Sequence, residues 1–425
     1  MGGTWSRRLY SWVLWLLLPY IAWHLWARSR KQPEYLRHVG ERFGRYQLQV
    51  RRPVIWLHTV SVGETRAAAS LVERLLQAYP DHQLLLTHTT PTGRAESERL
   101  YGEKVWRVYL PYDYPFAVRR FLQSFRPALG VLLETEIWPN LIAACQEQQA
   151  PLLLLNARMS EKSARRYGRY PALTKQALQG LATIAAQTEA DAERLRRLGA
   201  QQVAVMGNLK FDIEPPAEML QLGQAFRQRF GVPRKVFLAA STRDGEEALL
   251  LDVLGKLEIP GGLLTVIVPR HPQRFADVAA MLEGRGLAYV RRSGEGQVPT
   301  DVSFVLGDSM GEMYAYYAAC DVAFIGGSLL PFGGQNLIEA CAVGRPVLVG
   351  SHTYNFAEAA QAAVEAGAAM RVQDAAELGA WLELLFGHPE QIADMGKAGK
   401  DFVARNCGAV SRAMSYIESV RSKSG

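Results

Sequence analysis

Residues 324–350 read FIGGSLLPFGGQNLIEACAVGRPVLVG. The pattern predicts a strand, a glycine loop, a helix that begins near Asn336, a tight turn and a second strand. Glycine suits positions where the backbone turns sharply or approaches a ligand closely, and the stretch has four before its helix: Gly326, Gly327, Gly333 and Gly334. The first turn of a helix offers unpaired N–H groups to a phosphate, and Glu339 is placed to accept from ribose hydroxyls. We therefore predict a ligand site, with a plain strand-to-helix connection as the alternative.

Apolar, β-rich runs alternate with amphipathic helical patterns on both sides of this stretch, as in parallel sheets covered by helices. In the first half we predict strands at residues 54–58, 83–87, 128–133, 152–156, 183–186 and 203–206. In the second half we predict strands at residues 236–240, 263–268, 288–291, 304–306, 322–325 and 346–349. The fold class is therefore predicted to be α/β, with two doubly wound, Rossmann-like domains whose strand ends face one cleft.

Composition limits the possible classes of function. The chain has 425 residues, 48% hydrophobic and 21% charged, which suits two domains with sizeable cores and excludes a mainly disordered protein. A net charge of +7 favours anionic partners, but no zinc-finger or RNP-like pattern occurs, so nucleic acid is not an expected partner. The four cysteines show no C-x-x-C spacing, which fits a reduced compartment. Without a D-x-D pair or clustered His and Cys ligands, we expect no metal and no other cofactor.

The N-terminus differs from the rest of the chain. Residues 9–26, LYSWVLWLLLPYIAWHLW, carry no formal charge and lie between Arg7 with Arg8 and a basic flank that contains Arg28, Arg30, Lys31 and Arg37. This predicts a membrane anchor, since a small-residue cleavage site is missing. The apolar length is marginal and Pro19 interrupts it, so spanning the bilayer and lying in its interface are both open. A buried core helix is the alternative.

Glu64 is the best catalytic candidate, because VIWLHTVSVGETRAAASLVERLL places it where a strand ends and a helix begins. We expect the helix dipole to keep its carboxylate ionised, and an ionised carboxylate at a cleft can take a proton from an attacking hydroxyl. The alternative is that Glu64 only stabilises the helix end, with Ser61 as the N-cap.

Glu134 and Glu136 form a second acidic site, after the apolar strand in LGVLLETEIWPNLI. In extended geometry the two side chains point to opposite faces, so only one needs to enter the cleft, and we choose Glu134. Basic partners for an anion are predicted in three other segments: Asn156 to Arg158 after a strand, Lys210 in GNLKFDIEPP and Arg270 in PRHPQR. A guanidinium pairs with a phosphate or carboxylate in a two-pronged fashion, and a lysine adds a point charge.

Ten motifs follow one another along the chain: HTVSVGE, TTPTG, YLPYD, ETEIWPNLI, NARMS, GNLKFD, ASTRDGEE, VPRHPQRF, GDSMGE and GGQNLIEA. In this order they resemble the 3-deoxy-D-manno-octulosonic acid (Kdo) transferases of Gram-negative lipid A biosynthesis. The resemblance implies a GT-B glycosyltransferase that moves Kdo from a CMP-Kdo donor to the lipid A precursor lipid IVA. It also implies attachment to the inner membrane, with the catalytic domains on the cytoplasmic side.

The resemblance also implies roles for individual residues. Glu64 matches the general base of the family, and Glu134 and Lys210 match groups that stabilise the transition state, in a single inverting displacement. The segments that match CMP-contacting positions contain Pro269, Arg270, Met310, Gly311, Glu312, Asn336, Leu337, Ile338 and Glu339. The chain departs from the family pattern at Gln335, where a histidine is usual, and at Arg243 with Asp244, where His and Glu are common.

The predicted organisation has four parts: an anchor with its basic flank at residues 1–34, an acceptor domain at 35–206, a linker at 207–218 and a CMP-Kdo donor domain at 219–425. The paired prolines and turn residues of the linker suggest the boundary. A GT-B enzyme that uses a UDP-sugar is the alternative within enzymes. A catalytically inactive, membrane-bound nucleotide-binding scaffold is the alternative outside them.

Overall fold

The computed structural model describes residues 2–30 and 32–422. Lys31, in the predicted basic flank, lies outside the described residues. The chain forms two compact units. One comprises the chain up to Asp212 together with the segment that begins at Cys407, and the other comprises Ile213–Asn406.

The first unit is built on a parallel sheet of seven strands. These are β1 (Val54–His58), β2 (Gln83–His88), β3 (Trp106–Tyr109), β4 (Pro127–Leu133), β5 (Leu152–Ala157), β6 (Thr183–Ala186) and β7 (Val203–Val205). They lie in the order β3-β2-β1-β4-β5-β6-β7. The helices that accompany them are α1 (Gly2–Leu16), α2 (Leu18–Ser29), α3 (Val62–Ala67), α4 (Ala69–Ala78), α5 (Pro91–Tyr101), α6 (Pro115–Phe125), α7 (Pro139–Glu147), α8 (Glu161–Gly168), α9 (Pro171–Gln179) and α10 (Glu189–Arg197).

The second unit repeats this architecture. Its strands are β8 (Lys235–Thr242), β9 (Leu263–Pro269), β10 (Tyr289–Arg291), β11 (Phe304–Leu306), β12 (Val322–Ile325), β13 (Val347–Val349) and β14 (Ala369–Arg371), in the order β10-β11-β9-β8-β12-β13-β14. Its helices are α11 (Ala217–Phe230), α12 (Glu246–Leu254), α13 (Phe275–Gly284), α14 (Met313–Ala319), α15 (Ile338–Val343), α16 (Ala357–Glu365), α17 (Ala375–Gly387) and α18 (Pro389–Asn406). A last helix, α19 (Ala409–Ser422), belongs to the first unit.

The sequence explains why these elements form. Strand β1, VIWLH, is buried at every position, as expected for a parallel strand covered by helices on both faces. Several helices begin with a side-chain cap, which satisfies one of the unpaired N–H groups of the first turn. The hydroxyls of Ser61, Thr90, Ser160 and Thr188 provide these caps for α3, α5, α8 and α10. Each of the twelve predicted strands is present within a residue or two, and β3 and β14 were not predicted.

The position of α19 differs from the predicted donor domain at residues 219–425. Its buried residues Ala413 and Ile417 join Leu71 and Val72 of α4 in the core of the first unit. The carboxylate of Asp212 accepts hydrogen bonds from the backbone N–H groups of Gly408, at 2.6 Å, and Val410. The chain therefore returns to the first unit because that unit has an apolar face for α19 to cover.

The predicted anchor forms two helices, since α1 ends at Leu16 and Pro19 lies in the first turn of α2. Among residues 2–30 and 32–422, no helix combines the length and the apolar character needed to cross a bilayer. Polar contacts attach α1 to the first unit. Ser11 donates to the Asn140 side chain at 3.1 Å, and the Tyr114 hydroxyl donates to the Leu14 carbonyl at 2.7 Å.

Truncation of a buried side chain of α19 should destabilise the first unit selectively. Ile417 is fully buried, and Ile417→Ala should lower the free energy of unfolding of the first unit by about 2–5 kcal/mol, because the cavity left behind does not close. Hydrogen exchange measured by mass spectrometry under native conditions, with increasing urea, separates the two units. The exposed neighbour Glu418→Ala is the matched control and should change stability by no more than about 0.5 kcal/mol. Equal effects of both variants, or lost protection in β8–β14, would contradict the assignment.

Candidate active site

The sheet order creates a switch point in the first unit. Strands β1 and β4 are neighbours, and the chain leaves them toward opposite edges of the sheet. Ligands of doubly wound sheets bind at the carboxyl ends of the strands at such a point. Glu64 lies in the first turn of α3, which follows β1, and Glu134 follows β4 directly. The fold therefore brings two carboxylates together that are seventy residues apart in sequence.

Local hydrogen bonds hold the Glu64 side chain in place. Ser61 is the N-cap of α3, and its hydroxyl accepts from the Glu64 backbone N–H at 3.5 Å. In return, the Glu64 carboxylate accepts from the Val60 backbone N–H at 2.8 Å and from the Ser61 hydroxyl at 3.1 Å. This is a reciprocal arrangement of the capping-box kind. Glu64 thus stabilises the helix start as the alternative reading expected, and its orientation is fixed.

The protonation of Glu64 differs from the expectation based on the helix dipole. The pKa of Glu64 is raised to about 7 by burial first and then by the negative charges of Glu134 and Glu136. The hydrogen bond from the Val60 N–H acts in the opposite direction and lowers the pKa. Desolvation and like charges both disfavour the ionised form. The prediction that the dipole keeps this carboxylate firmly ionised is therefore wrong. A carboxylate that titrates near neutral pH is instead well matched to the work of a general base.

Glu134 has an unusual backbone. Its φ is +60°, in the left-handed region that residues with a Cβ rarely adopt. The strand does not continue through it, so the extended geometry assumed for Glu134 and Glu136 does not occur. Glu136 accepts from the Trp138 indole N–H at 2.6 Å, and its Oε2 lies 3.7 Å from Nε2 of the fully buried His58.

Lys210 pairs with Glu134, with 3.8 Å between Nζ and Oε1. It lies on a short turn that neighbouring strand ends hold. The Asn156 side chain, at the end of β5, accepts from the Leu209 backbone N–H at 3.0 Å, and the Asn208 side chain accepts from the Lys210 backbone N–H at 3.0 Å. Asn156 also has a positive φ of 52°. The motif NARMS thus positions Lys210, a role that sequence reasoning did not assign to it.

The second unit has a switch point of its own, where β8 and β12 are neighbours. The glycine loop begins there, and a Cβ on Gly326 would lie 2.4 Å from the Ser241 carbonyl oxygen, so no larger residue fits. The fully buried Glu246 holds this loop, because its carboxylate accepts from the backbone N–H groups of Gly327 at 2.6 Å and Leu329 at 3.0 Å. Sequence reasoning missed Glu246. The N-cap of α12 is Gly245, with no side-chain cap.

The first two segments predicted to contact CMP lie at strand ends of the second unit. Pro269 ends β9, and the Arg270 backbone N–H donates to the Thr242 carbonyl at 3.0 Å. Met310 and Gly311 follow β11, and the Met310 side chain is 55% exposed. Glu312 is engaged by Arg292, which donates to its two oxygens at 3.0 and 2.7 Å. This ion pair orders the loop before α14.

The third segment surrounds the start of α15, which begins at Ile338, two residues after Asn336. The Asn336 side chain accepts from the Ile338 backbone N–H at 3.1 Å and donates to the Glu339 carboxylate at 3.1 Å. Leu337 and Ile338 are buried, so their side chains belong to the core and only their backbone is available to a ligand. The three predicted catalytic residues thus lie in the first unit and the nine predicted CMP-contacting residues in the second.

Two departures from the family pattern meet at one glycine. A Cβ built on Gly327, whose φ is +71°, would lie 3.3 Å from Arg243 Cγ and 3.4 Å from Gln335 Nε2. The Arg243 guanidinium lies 4.8 Å from the centroid of the Phe332 ring and 3.2 Å from His271 Nε2. Gln335 and Arg243 therefore act on the same part of the loop, and Arg243 brings a permanent positive charge to it.

Known proteins are similar to this chain in sequence and in fold. Residues 37–213 match the family model described as 3-deoxy-D-manno-octulosonic-acid transferase (kdotransferase). A 3-deoxy-D-manno-octulosonic acid transferase from Bordetella pertussis is 43% identical, over 97% of this chain and 99% of its own. The chain belongs to the 3-deoxy-D-manno-octulosonic acid transferase family. A transferase of the same name from Haemophilus influenzae is 35% identical, over 97% of this chain and 98% of its own.

The fold is shared more widely. The crystal structure of a glycosyltransferase from Rickettsia africae has a TM-score of 0.55 at 13% identity, and the match covers 87% of this chain and 99% of that chain. Family membership confirms the resemblance that the ten motifs indicate and the prediction of a glycosyltransferase. The two seven-stranded parallel sheets confirm the predicted α/β class of GT-B type.

The acidic cluster predicts the pH dependence of activity. If ionised Glu64 is the base, transferase activity rises with pH through a midpoint near the pKa of Glu64, about 7. Glu134→Gln removes a neighbouring negative charge, so the pKa of Glu64 and the midpoint of the pH–rate profile should both move down. Glu134→Asp keeps the charge and is the matched control. An unchanged midpoint in Glu134→Gln, measured as kcat/KM from pH 5 to 9, would contradict this coupling.

Proposed function

We propose that this enzyme transfers Kdo from CMP-Kdo to a hydroxyl of the lipid A precursor lipid IVA. The carrying observation is the Glu64 carboxylate, fixed by two hydrogen bonds and with a pKa of about 7, beside Glu134 at the switch point of the first sheet. Membership of the Kdo transferase family supports the donor sugar. Arg270, which follows the last residue of β9, brings a positive charge suited to a phosphate-containing donor.

Glu64 acts as the general base in this proposal. Its carboxylate takes the proton of the acceptor hydroxyl while the hydroxyl oxygen forms a bond to the anomeric carbon of Kdo. The bond from that carbon to the phosphate oxygen of CMP-Kdo breaks at the same step, so the configuration inverts. With a pKa of about 7, about half of the Glu64 side chains are ionised at neutral pH and ready for this transfer.

Positive charge stabilises the leaving group of the reaction. CMP leaves with an additional negative charge on its phosphate, and fixed cations near that charge stabilise the transition state more than the ground state. Lys210 and Arg270 take this role in the proposal. Glu134 orients Lys210 through their 3.8 Å ion pair and helps to keep the pKa of Glu64 high. Neither a metal nor a cofactor is needed for these steps.

The base is tested by Glu64→Gln, which keeps the size of the side chain and removes its capacity to accept a proton. Transfer from labelled CMP-Kdo to lipid IVA, followed by mass spectrometry of the product, should fall by about 10²–10⁴-fold. Binding of CMP, measured by calorimetry, should persist because the residues proposed for it belong to the second unit. Glu73→Gln, on the exposed face of α4, is a charge-matched control and should retain activity.

The alternatives give different results in the same assay. Transfer from a UDP-sugar with no CMP release from CMP-Kdo would replace the proposed donor. Full transfer by Glu64→Gln would remove Glu64 from the mechanism. A wild-type protein that binds CMP and transfers nothing would support the inactive scaffold.

We also propose that α1 and α2 attach the enzyme to the cytoplasmic surface of the inner membrane by lying in the interface. Four side chains of α1 follow the helical spacing of one stripe and are largely exposed, namely Trp5, Leu9, Trp12 and Leu16 at 71, 67, 69 and 79%. Arg28, in the last turn of α2, and Arg30, directly after the helix, are exposed, and their charges suit anionic head groups. Such a combination of apolar stripe and flanking charge is typical of interfacial helices.

The stripe is tested by the double variant Trp5→Ala with Trp12→Ala. Binding to phosphatidylglycerol vesicles, measured by co-sedimentation, should weaken by about tenfold or more, because burying one large apolar side chain contributes about 1.5–3 kcal/mol. Tyr354→Ala removes an exposed aromatic of the second unit and should bind as the wild type does. Equal binding by all three proteins would contradict interfacial attachment through this stripe.

A further inference from the structure

An apolar cavity of about 720 Å³ lies in the first unit, bounded by α1, the segment after β4, and helices α8 and α9. Its walls include Leu9 and Val13 of α1, Ile137 and Trp138 after β4, and Leu173 of α9. This volume is within the range of about 300–1,000 Å³ that small-molecule sites occupy. Family membership alone does not account for this cavity, and the proposed chemistry at Glu64 does not require it.

The walls of the cavity are held together by polar contacts, so the space exists before any ligand enters. Tyr10 of α1 hydrogen-bonds the carboxyl of the buried Asp113, which also accepts from the backbone N–H groups of Asn140 at 3.0 Å and Leu141 at 2.8 Å. Arg7 pairs with Glu147 at 3.1 Å on the outer side of α1. A preformed apolar site binds a chain without the cost of ordering its own walls.

One end of the cavity reaches the carboxylate cluster. Glu136 lines the cavity, and the same carboxylate lies 3.7 Å from His58 and contributes to the raised pKa of Glu64. At the other side, Leu9 lines the cavity and is also part of the exposed stripe of α1. The cavity is thus lined both by the stripe proposed to contact the membrane and by Glu136, a neighbour of the proposed base.

The rim carries positive charge. Arg166 lines the cavity and also a second depression of about 330 Å³, which Lys162, Arg165 and Arg169 line as well. The one acidic residue of this depression, Glu161, pairs with Arg165 at 3.6 Å and, outside the depression, with Arg194 at 3.3 Å and Arg197 at 3.4 Å. Lys162, Arg166 and Arg169 remain as a surplus of positive charge. We name Arg165, Arg166 and Arg169 the basic rim. An apolar cavity beside a surplus of guanidinium groups matches an amphiphile with a hydrocarbon chain and a phosphate.

We propose that the cavity holds an acyl chain of the phosphorylated glycolipid acceptor and that the basic rim binds its phosphate. The inference rests on the proposed function, because the occupant is the acceptor of the transfer. The acceptor hydroxyl is then held near Glu64 by a chain that is seated to one side of it, so acyl binding energy contributes to positioning. A membrane phospholipid without a role in the reaction is the alternative occupant.

The chain site is tested by filling it. Ala172 of α9 lines the cavity and is exposed, so Ala172→Trp can occupy the space without disturbing the core. We measure kcat/KM for lipid IVA and for the same phosphorylated disaccharide after complete deacylation. The wild type should prefer the acylated acceptor by at least about a hundredfold, since each buried methylene contributes about three- to fourfold. The variant should reduce this ratio by about tenfold or more. Gln179→Trp, on an exposed part of the same helix, should retain it.

The basic rim is tested by the double variant Arg166→Gln with Arg169→Gln. The KM for lipid IVA should rise by about tenfold, and its dependence on salt between 50 and 300 mM should flatten, because screened charge pairs are lost. Arg74→Gln, on the exposed face of α4, is the control. Unchanged KM and unchanged salt dependence would overturn the phosphate assignment.

Direct binding separates this proposal from the proposed function. Myristoyl lysophosphatidic acid, which has one chain and one phosphate, is titrated below its micelle concentration into the full-length protein. If no transfer to lipid IVA occurs but Ala172→Trp and the rim variant each weaken this binding tenfold, the proposed function fails and the site stands. If transfer occurs and both variants match the wild type in binding and in the acyl ratio, the site fails alone. Weaker vesicle binding by Ala172→Trp with an unchanged acyl ratio would assign the cavity to bulk lipid and overturn the proposal.

Discussion

Burial of the Glu64 carboxylate, together with repulsion from the neighbouring carboxylates at the β1–β4 switch point, is the constraint on which the proposed chemistry of the first unit depends. A parallel sheet that reverses its strand order at β1 and β4 places the residues that follow these strands side by side. Glu64 and Glu134 follow them, and burial together with their repulsion raises the pKa of Glu64 to about 7. The left-handed backbone of Glu134 stores strain to keep its side chain there. The reciprocal cap between Ser61 and Glu64 opposes this repulsion, because its hydrogen bonds hold in place a carboxylate that would otherwise turn to solvent.

The second unit has the same topology, but its buried carboxylate has a structural role. Its switch point at β8 and β12 carries a glycine loop, and the buried Glu246 holds that loop through backbone N–H groups. A buried carboxylate used in this way sets the loop conformation, and its oxygens are occupied by hydrogen bonds within the protein. Arg243 and Gln335, where the chain departs from its family, flank Gly327 in the same loop.

The sequence predicted the strands well where a strand is buried on both faces, because a continuous apolar run is a strong signal. It missed β3 and β14, which are edge strands of the first and the second sheet and each pair with a single neighbouring strand. Trp106–Tyr109 and Ala369–Arg371 are short and only partly buried, and neither forms a continuous apolar run. It also assigned α19 to the wrong unit, since an amphipathic helix does not encode which of two cores it covers. The expected effect on the pKa of Glu64 had the wrong direction for a similar reason. The helix dipole acts locally, whereas burial and Glu134 act through the tertiary fold.

The most direct test of the central claim is the titration of the Glu64 carboxyl itself in the protein without substrates. Glutamate labelled with ¹³C at the carboxyl carbon, with Glu64→Gln to assign the signal, reports its protonation by NMR. The account predicts a midpoint at about pH 7 that moves down in Glu134→Gln. A midpoint near 4.5, the ordinary value of a glutamate, in both proteins would contradict it.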